Sequence, residues 1–208
     1  DESPPDIQFY AAEQLQQIFA VEDPTVRRFL RLLYYTGSRR AAIERLEPYQ
    51  VDLQHGTITL AKRGEKKTKK RRPVVPIFAE IREDVDALMA EAVTRKSTYL
   101  FANGGNYYER YRRHCTALGL GHKANPHVMR HTRATLALIA ETPILKVANL
   151  LGDTVATVEK TYVHLLPKHL MSIDDGMSSG ALRANGSRDC RDLGAGKATL
   201  DEEDQWLS

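Results

Sequence analysis

The chain has 208 residues, a formal net charge of +3 and 42% apolar side chains, enough for one large domain or a domain with a tail. No run of about 18 apolar residues occurs, and the N-terminus Asp1-Glu2-Ser3-Pro4-Pro5 lacks a basic-then-apolar pattern. Nothing in the sequence is therefore expected to target a membrane or secretion, and the default placement is cytoplasmic. Cys115 and Cys190 lie far apart in unrelated contexts, the usage of a reducing compartment. With no initiating Met, Asp1 is expected to begin an excised fragment or processed chain. The charge is uneven: residues 172–208 hold 8 acids and 4 bases, leaving 26 bases against 19 acids in residues 1–171. A basic body suits a polyanion, because Lys and Arg gain affinity by releasing phosphate counterions.

In chain order, residues 9–21 place Leu15, Ile18 and Phe19 at i, i+3, i+4 and predict an amphipathic helix. Asp23-Pro24 supplies an N-cap and a proline at the first helical position. Val26, Phe29, Leu30, Leu33 and Tyr34 then form a buried stripe, and Gly37 ends that helix. Ser38 is expected to cap a short helix over residues 39–46. Residues 51–53 and 57–60 flank Gln54-His55-Gly56 as a hairpin, with a third strand over 73–77; Pro73 fits only an edge or the start of that strand. Between strands two and three, residues 62–72 hold eight bases and one acid, a solvated loop or a DNA-contact patch. A helix over 77–93 follows. Tyr107, Tyr108, Tyr111, Arg112 and Arg113 then share a helix on which the tyrosines read as packing.

The last structured stretch carries the chemistry. Pro126 fits the first turn of a helix, so His127 and Arg130 fall on one face three residues apart, an imidazole and a two-pronged guanidinium suited to an oxyanion. His131 lies four residues after His127, the spacing of a zinc pair. Val128 stands where a zinc enzyme needs Glu, and no third ligand is evident, so no metal or other cofactor is expected and His131 reads as structural, bonding the loops around the site. Leu150-Leu151-Gly152 ends the next helix, over 143–151, Asp153 or Thr154 can cap the one after, and that helix carries Tyr162.

His127-x-x-Arg130, then Leu150-Leu151-Gly152-x, then Tyr162 nine residues later, resembles the C-terminal half of the active site of tyrosine recombinases, the phage-integrase type. Thr36-Gly37-Ser38-Arg39 matches the family's first arginine motif, and the basic run ahead of Val75-Pro76 matches its hairpin lysine. Four motifs in the family's order cover about residues 9–167. The resemblance implies an α+β, mainly α-helical catalytic domain over residues 1–170 with a small three-stranded antiparallel sheet. It leaves an acidic, flexible tail over 171–208, and the family's N-terminal DNA-binding domain has no counterpart in the chain.

The implied activity is site-specific recombination or integration through a 3′-phosphotyrosyl intermediate. Tyr162 would be the nucleophile, Arg39 and Arg130 would neutralise the charge forming on phosphorus, and His127 would be a base or phosphate donor. Lys67 would be the general acid, with Lys70 the second choice. Lys66, Lys69, Lys70, Arg71 and Arg72 would contact DNA. The implied partners are double-stranded DNA and other protomers of the same protein. A type IB topoisomerase and a catalytically silent DNA-binding module are the rival readings. Asp153 departs from the family, which commonly has His or Trp there, and Ala42 stands where an acid is common. Asp153 is expected either to cap the tyrosine helix or to pair with a site cation, since a bare carboxylate would repel the phosphate.

Overall fold

The helices begin and end where local chemistry puts them. The structure is a computed structural model and describes residues 8–61 and 73–162, all within one unit spanning Asp1–Leu166. Helix α1 spans Ala12–Phe19 and buries Leu15 and Ile18, with Phe19 packed alongside. It starts later than the periodicity suggests, because Tyr10 is drawn into the core: its N–H donates to Thr132 Oγ1 at 3.0 Å and its hydroxyl to the Lys123 carbonyl at 2.7 Å. Helix α2 spans Pro24–Thr36, capped by Asp23 Oδ1, which accepts from the N–H groups of Thr25 and Val26. The whole expected stripe is buried.

Ser38 does not cap the next helix. Helix α3 spans only Arg40–Glu44, its N-cap position is Arg39, and Ser38 Oγ is buried without a partner. Strands β1 (Val51–Asp52), β2 (Thr57–Thr59) and β3 (Val74–Pro76) form an antiparallel sheet in that order. Its inner face is the register row Val51, Ile58, Val75. Strand β3 lies at the edge, where Pro76 opposite Thr57 costs no ladder bond to a further strand. Buried Gln50 steadies the base of the β2–β3 hairpin, its amide donating to the carbonyls of Thr59 at 2.7 Å and Ala61 at 3.2 Å. The basic run of residues 62–72 leaves from here and lies outside the described residues, as does 163–208.

Helix α4 (Ala79–Thr94) buries Ile81, Val85, Leu88 and Ala92. Helix α5 (Tyr107–Ala117) buries Tyr107 and Tyr111, as packing requires, while Arg112 and Arg113 are exposed. Helix α6 (Pro126–Ile139) crosses α2, and Arg133 lies over the rings of Phe78, Tyr34 and Tyr35 at 4.9, 5.4 and 5.6 Å. Helices α7 (Ile144–Leu151) and α8 (Val155–Tyr162) pack together with the far end of α6 in a second cluster that includes Ala134, Leu138, Val147, Leu151 and Val158. No helix among the described residues is long and apolar enough to cross a membrane.

Gly37 is needed twice over. It ends α2 at φ 60°, and a Cβ there would meet Leu151 Cδ2 at 2.8 Å. Left-handed backbone costs an L-residue about 1–2 kcal/mol, and the contact with Leu151 adds to it. Gly37→Ala should therefore lower unfolding stability by at least about 1–2 kcal/mol in urea denaturation. Unchanged stability would show that the turn relaxes freely.

Candidate active site

Among the described residues Arg130 is the best-buried charged side chain, 7% exposed. Its position on α6 follows from the Asn125 cap, whose side chain accepts from the His127 N–H at 2.9 Å, and from Pro126 in the first turn. One end of its guanidinium donates to the Gly37 carbonyl at 2.6 Å, and the other to the Leu151 carbonyl at 3.0 Å and to Asp153 Oδ2 at 2.6 Å. One carbonyl is that of the left-handed Gly37 and the other, of Leu151, precedes the left-handed Gly152; both lie at helix ends, where acceptors are left unpaired. One side chain thus joins the end of α2, the body of α6 and the end of α7.

Asp153 also reaches the second arginine. Its Oδ1 lies 3.8 Å from Arg39 Nη2. Of the two expected roles for Asp153, cation pairing is the one the geometry realises. The helix cap falls to Thr154, whose Oγ1 accepts from the Thr157 N–H at 3.1 Å. Arg39 is half-exposed and lines a cleft of about 280 Å³ with Arg40, Tyr108, Asn125, Pro126 and His127. Arg40 flanks this cleft with its guanidinium over the Tyr108 ring at 5.1 Å. Burial, and then the charges of Arg130 and Arg39, hold His127 below the usual imidazole range. At neutral pH it is therefore a proton acceptor.

Tyr162 stands at the end of α8, against His131 of α6. It is 4% exposed, and its hydroxyl meets His131 Nδ1 at 2.8 Å. His131 is thus more specific than a loop-bonding histidine: it holds the hydroxyl of the tyrosine helix. The residues that sequence reasoning missed here are this pair and the flanking Arg40 and Tyr108. The available signal was the i, i+4 spacing of His127 and His131, which puts both imidazoles near one face. Burial pushes the Tyr162 phenol up to about 12, with Asp153 adding to the rise and Arg130 opposing it. Burial, then His127 and Arg130, lowers His131. Lys66, Lys67, Lys69, Lys70, Arg71 and Arg72 lie outside the described residues. Among the described residues no group of three or more His, Cys, Asp or Glu could hold a metal ion.

The sequence profile of the phage integrase family matches residues 8–169. The chain belongs to that family. Among curated proteins, tyrosine recombinase XerC of Haemophilus ducreyi is 30% identical over 189 residues, covering 83% of this chain and 60% of that protein. Tyrosine recombinase XerC of Chlorobaculum parvum is 26% identical over 171 residues, covering 74% of this chain and 49% of that one. The chain thus spans about half to three-fifths of the curated relatives it matches. In fold it is similar to XerA recombinase, with TM-score 0.65 and 21% identity over 86% of this chain and 68% of that one. The catalytic domain of bacteriophage HP1 integrase gives TM-score 0.59 and 24% identity over 85% of this chain and 99% of that one. The mainly helical fold with its three-stranded sheet is therefore that of a tyrosine recombinase catalytic domain.

The neutral Tyr162–His131 pair makes stability depend on pH at both ends. His131 is depressed in the folded state, so its contribution is complete above about pH 6.5 and is lost as pH falls through the folded value. Tyr162 is raised, so its contribution is complete below about pH 10 and is lost as pH rises through about 12. Tyr162→Phe should flatten the alkaline fall in Tm without abolishing it, because Tyr10 and Tyr111 are also raised by burial. An alkaline limb identical to wild type would mean that the Tyr162 phenol is solvated.

Proposed function

We propose that this chain is the strand-cleaving domain of a site-specific DNA recombinase or integrase, working through a 3′-phosphotyrosyl intermediate. The observation that carries the reading is the pairing of Arg130, fixed by two backbone carbonyls, with half-exposed Arg39 through the shared Asp153, at the edge of a cleft that also holds His127. Two guanidiniums and a neutral imidazole suit a phosphodiester whose charge grows during attack. On this reading the partners are double-stranded DNA and other protomers of the same protein.

The Tyr162 oxygen attacks phosphorus, forming the phosphotyrosyl bond as the bond to the 5′-oxygen breaks. The phenol is a weak nucleophile while protonated, and burial keeps it so. With Nε2 carrying the ring proton, His131 Nδ1 accepts a hydrogen bond from the phenol in the resting pair. For Tyr162 to reach a phosphate in the Arg39–His127 cleft, that bond must open and His127 take over as acceptor. The proton for the departing 5′-oxygen comes from the hairpin lysine, assigned to Lys67 with Lys70 second. General acid–base steps of this kind are worth about 10²–10⁴-fold.

Trapping on a nicked duplex tests the nucleophile. The wild-type chain should form a covalent adduct that survives denaturation, and Tyr162→Phe should form none while binding DNA as before. An adduct persisting in the variant would place the nucleophile elsewhere. The lysines separate on a substrate with sulfur at the 5′-bridging position, since a thiolate leaves without a proton. Lys67→Ala should regain cleavage on it and Lys70→Ala should show no selective gain; the reverse pattern would move the acid to Lys70.

A further inference from the structure

The anion seat of this protein already contains an anion. Asp153 lies between the two guanidiniums, tight to Arg130 at 2.6 Å and loose to Arg39 at 3.8 Å. Helix capping does not explain it, because Thr154 caps α8. Arg130 does not need it for positioning, because the Gly37 and Leu151 carbonyls already fix that side chain. These bonds use three of the five guanidinium N–H groups, leaving Nε–H and one Nη1–H for a ligand. Arg39 differs: its side chain is 41% exposed, it stands at the N-cap of a five-residue helix, and its ionic partner is Asp153. The tight end of the bridge is on the immovable arginine and the loose end on the movable one.

We propose that Asp153 is a built-in competitor for the phosphate: a carboxylate that holds Arg39 toward Arg130 in the free protein and gives Arg39 up to an incoming phosphodiester. The inference rests on the reading that the two arginines form a phosphate seat. Its physical basis is charge. Two guanidiniums alone present two positive charges, and the carboxylate cancels one, so a phosphate must either displace it or bind beside a like charge. The same carboxylate raises the Tyr162 phenol, so it restrains the nucleophile as well as the seat. The free enzyme is thereby held back until DNA supplies enough contacts elsewhere to open the Arg39–Asp153 pair.

The test uses inorganic sulfate, which needs no knowledge of the DNA site, titrated into the intact chain by calorimetry and by side-chain NMR of Arg39 and Asp153. Asp153→Asn keeps an oxygen for Arg130 and removes the charge. It should bind sulfate about tenfold tighter, an increment discounted for the partial exposure of the pair, and Arg39→Ala in that background should abolish the gain. Asp153→Ser should show the same gain if Asn misfolds. In the wild-type chain, saturating sulfate should shift the Asp153 carboxyl resonance. Sulfate affinity unchanged or weaker in the folded variants would overturn the proposal and make the carboxylate a scaffold for Arg39. A gain that survives Arg39→Ala, or an Asp153 resonance indifferent to sulfate, would overturn it equally. Tighter sulfate binding in a chain that never forms a DNA adduct would keep the competitor and remove the recombinase reading. An adduct without any gain would do the reverse.

Discussion

The bonds of the Arg130 guanidinium hold the site and much of the fold together. A charge taken from water costs several kcal/mol unless it is paired and hydrogen-bonded. Arg130 meets that requirement with two carbonyls that helix ends leave unpaired, and with one carboxylate. The exchange satisfies both sides: Gly37 and Leu151 would otherwise carry acceptors with poor access to water. Because the acceptors come from α2 and α7, the side chain fixes the angle at which those helices meet α6. The glycines are part of the same constraint. Gly37 turns the chain so that its carbonyl faces the guanidinium, and Leu151 packs where any Cβ on Gly37 would stand.

Around this staple the site sorts into rigid and loose parts. Arg130 and Tyr162 are buried, whereas Arg39 and His127 face a cleft. Such a division suits phosphoryl transfer, in which one fixed donor defines the position of the phosphorus and others adjust as charge moves outward. Gln50 donates to the carbonyls of Thr59 and Ala61 and so ties the C-terminal end of β2 to the core.

Much of this was legible in the sequence because its signals are local. Asp23-Pro24 caps and starts α2, Pro126 starts α6, and Gly37 and Gly152 end helices through backbone conformations that L-residues avoid. The motif order carried Arg39, Arg130 and Tyr162 to one unit of the fold. What was illegible depends on distance along the chain. The Asp153 carboxylate meets Arg39 across 114 residues and Arg130 across 23, so pairing with a site cation stood as one of two options and only the fold shows that it meets both arginines. Ser38 looked like a cap because serine commonly is one, yet the tight turn after Gly37 buries its hydroxyl and puts Arg39 at the cap position. His131 could be placed on the right face of α6, but its partner depends on how α7 and α8 fold back onto that helix.

The same geometry decides which residue reports on chemistry. Removing Arg130 would delete a phosphate donor and also strand two buried carbonyls and a carboxylate, so lost activity would mix a catalytic defect with a loosened junction of α2, α6 and α7. Arg39 makes no such junction among the described residues: its side chain is half-exposed, and its ionic partner, Asp153, has its shorter bond to Arg130. Lost activity on truncating Arg39 is therefore a cleaner measure of transition-state charge than the same loss at Arg130, although the two arginines face one carboxylate. The more deeply a catalytic cation is built into the fold, the less its deletion says about catalysis.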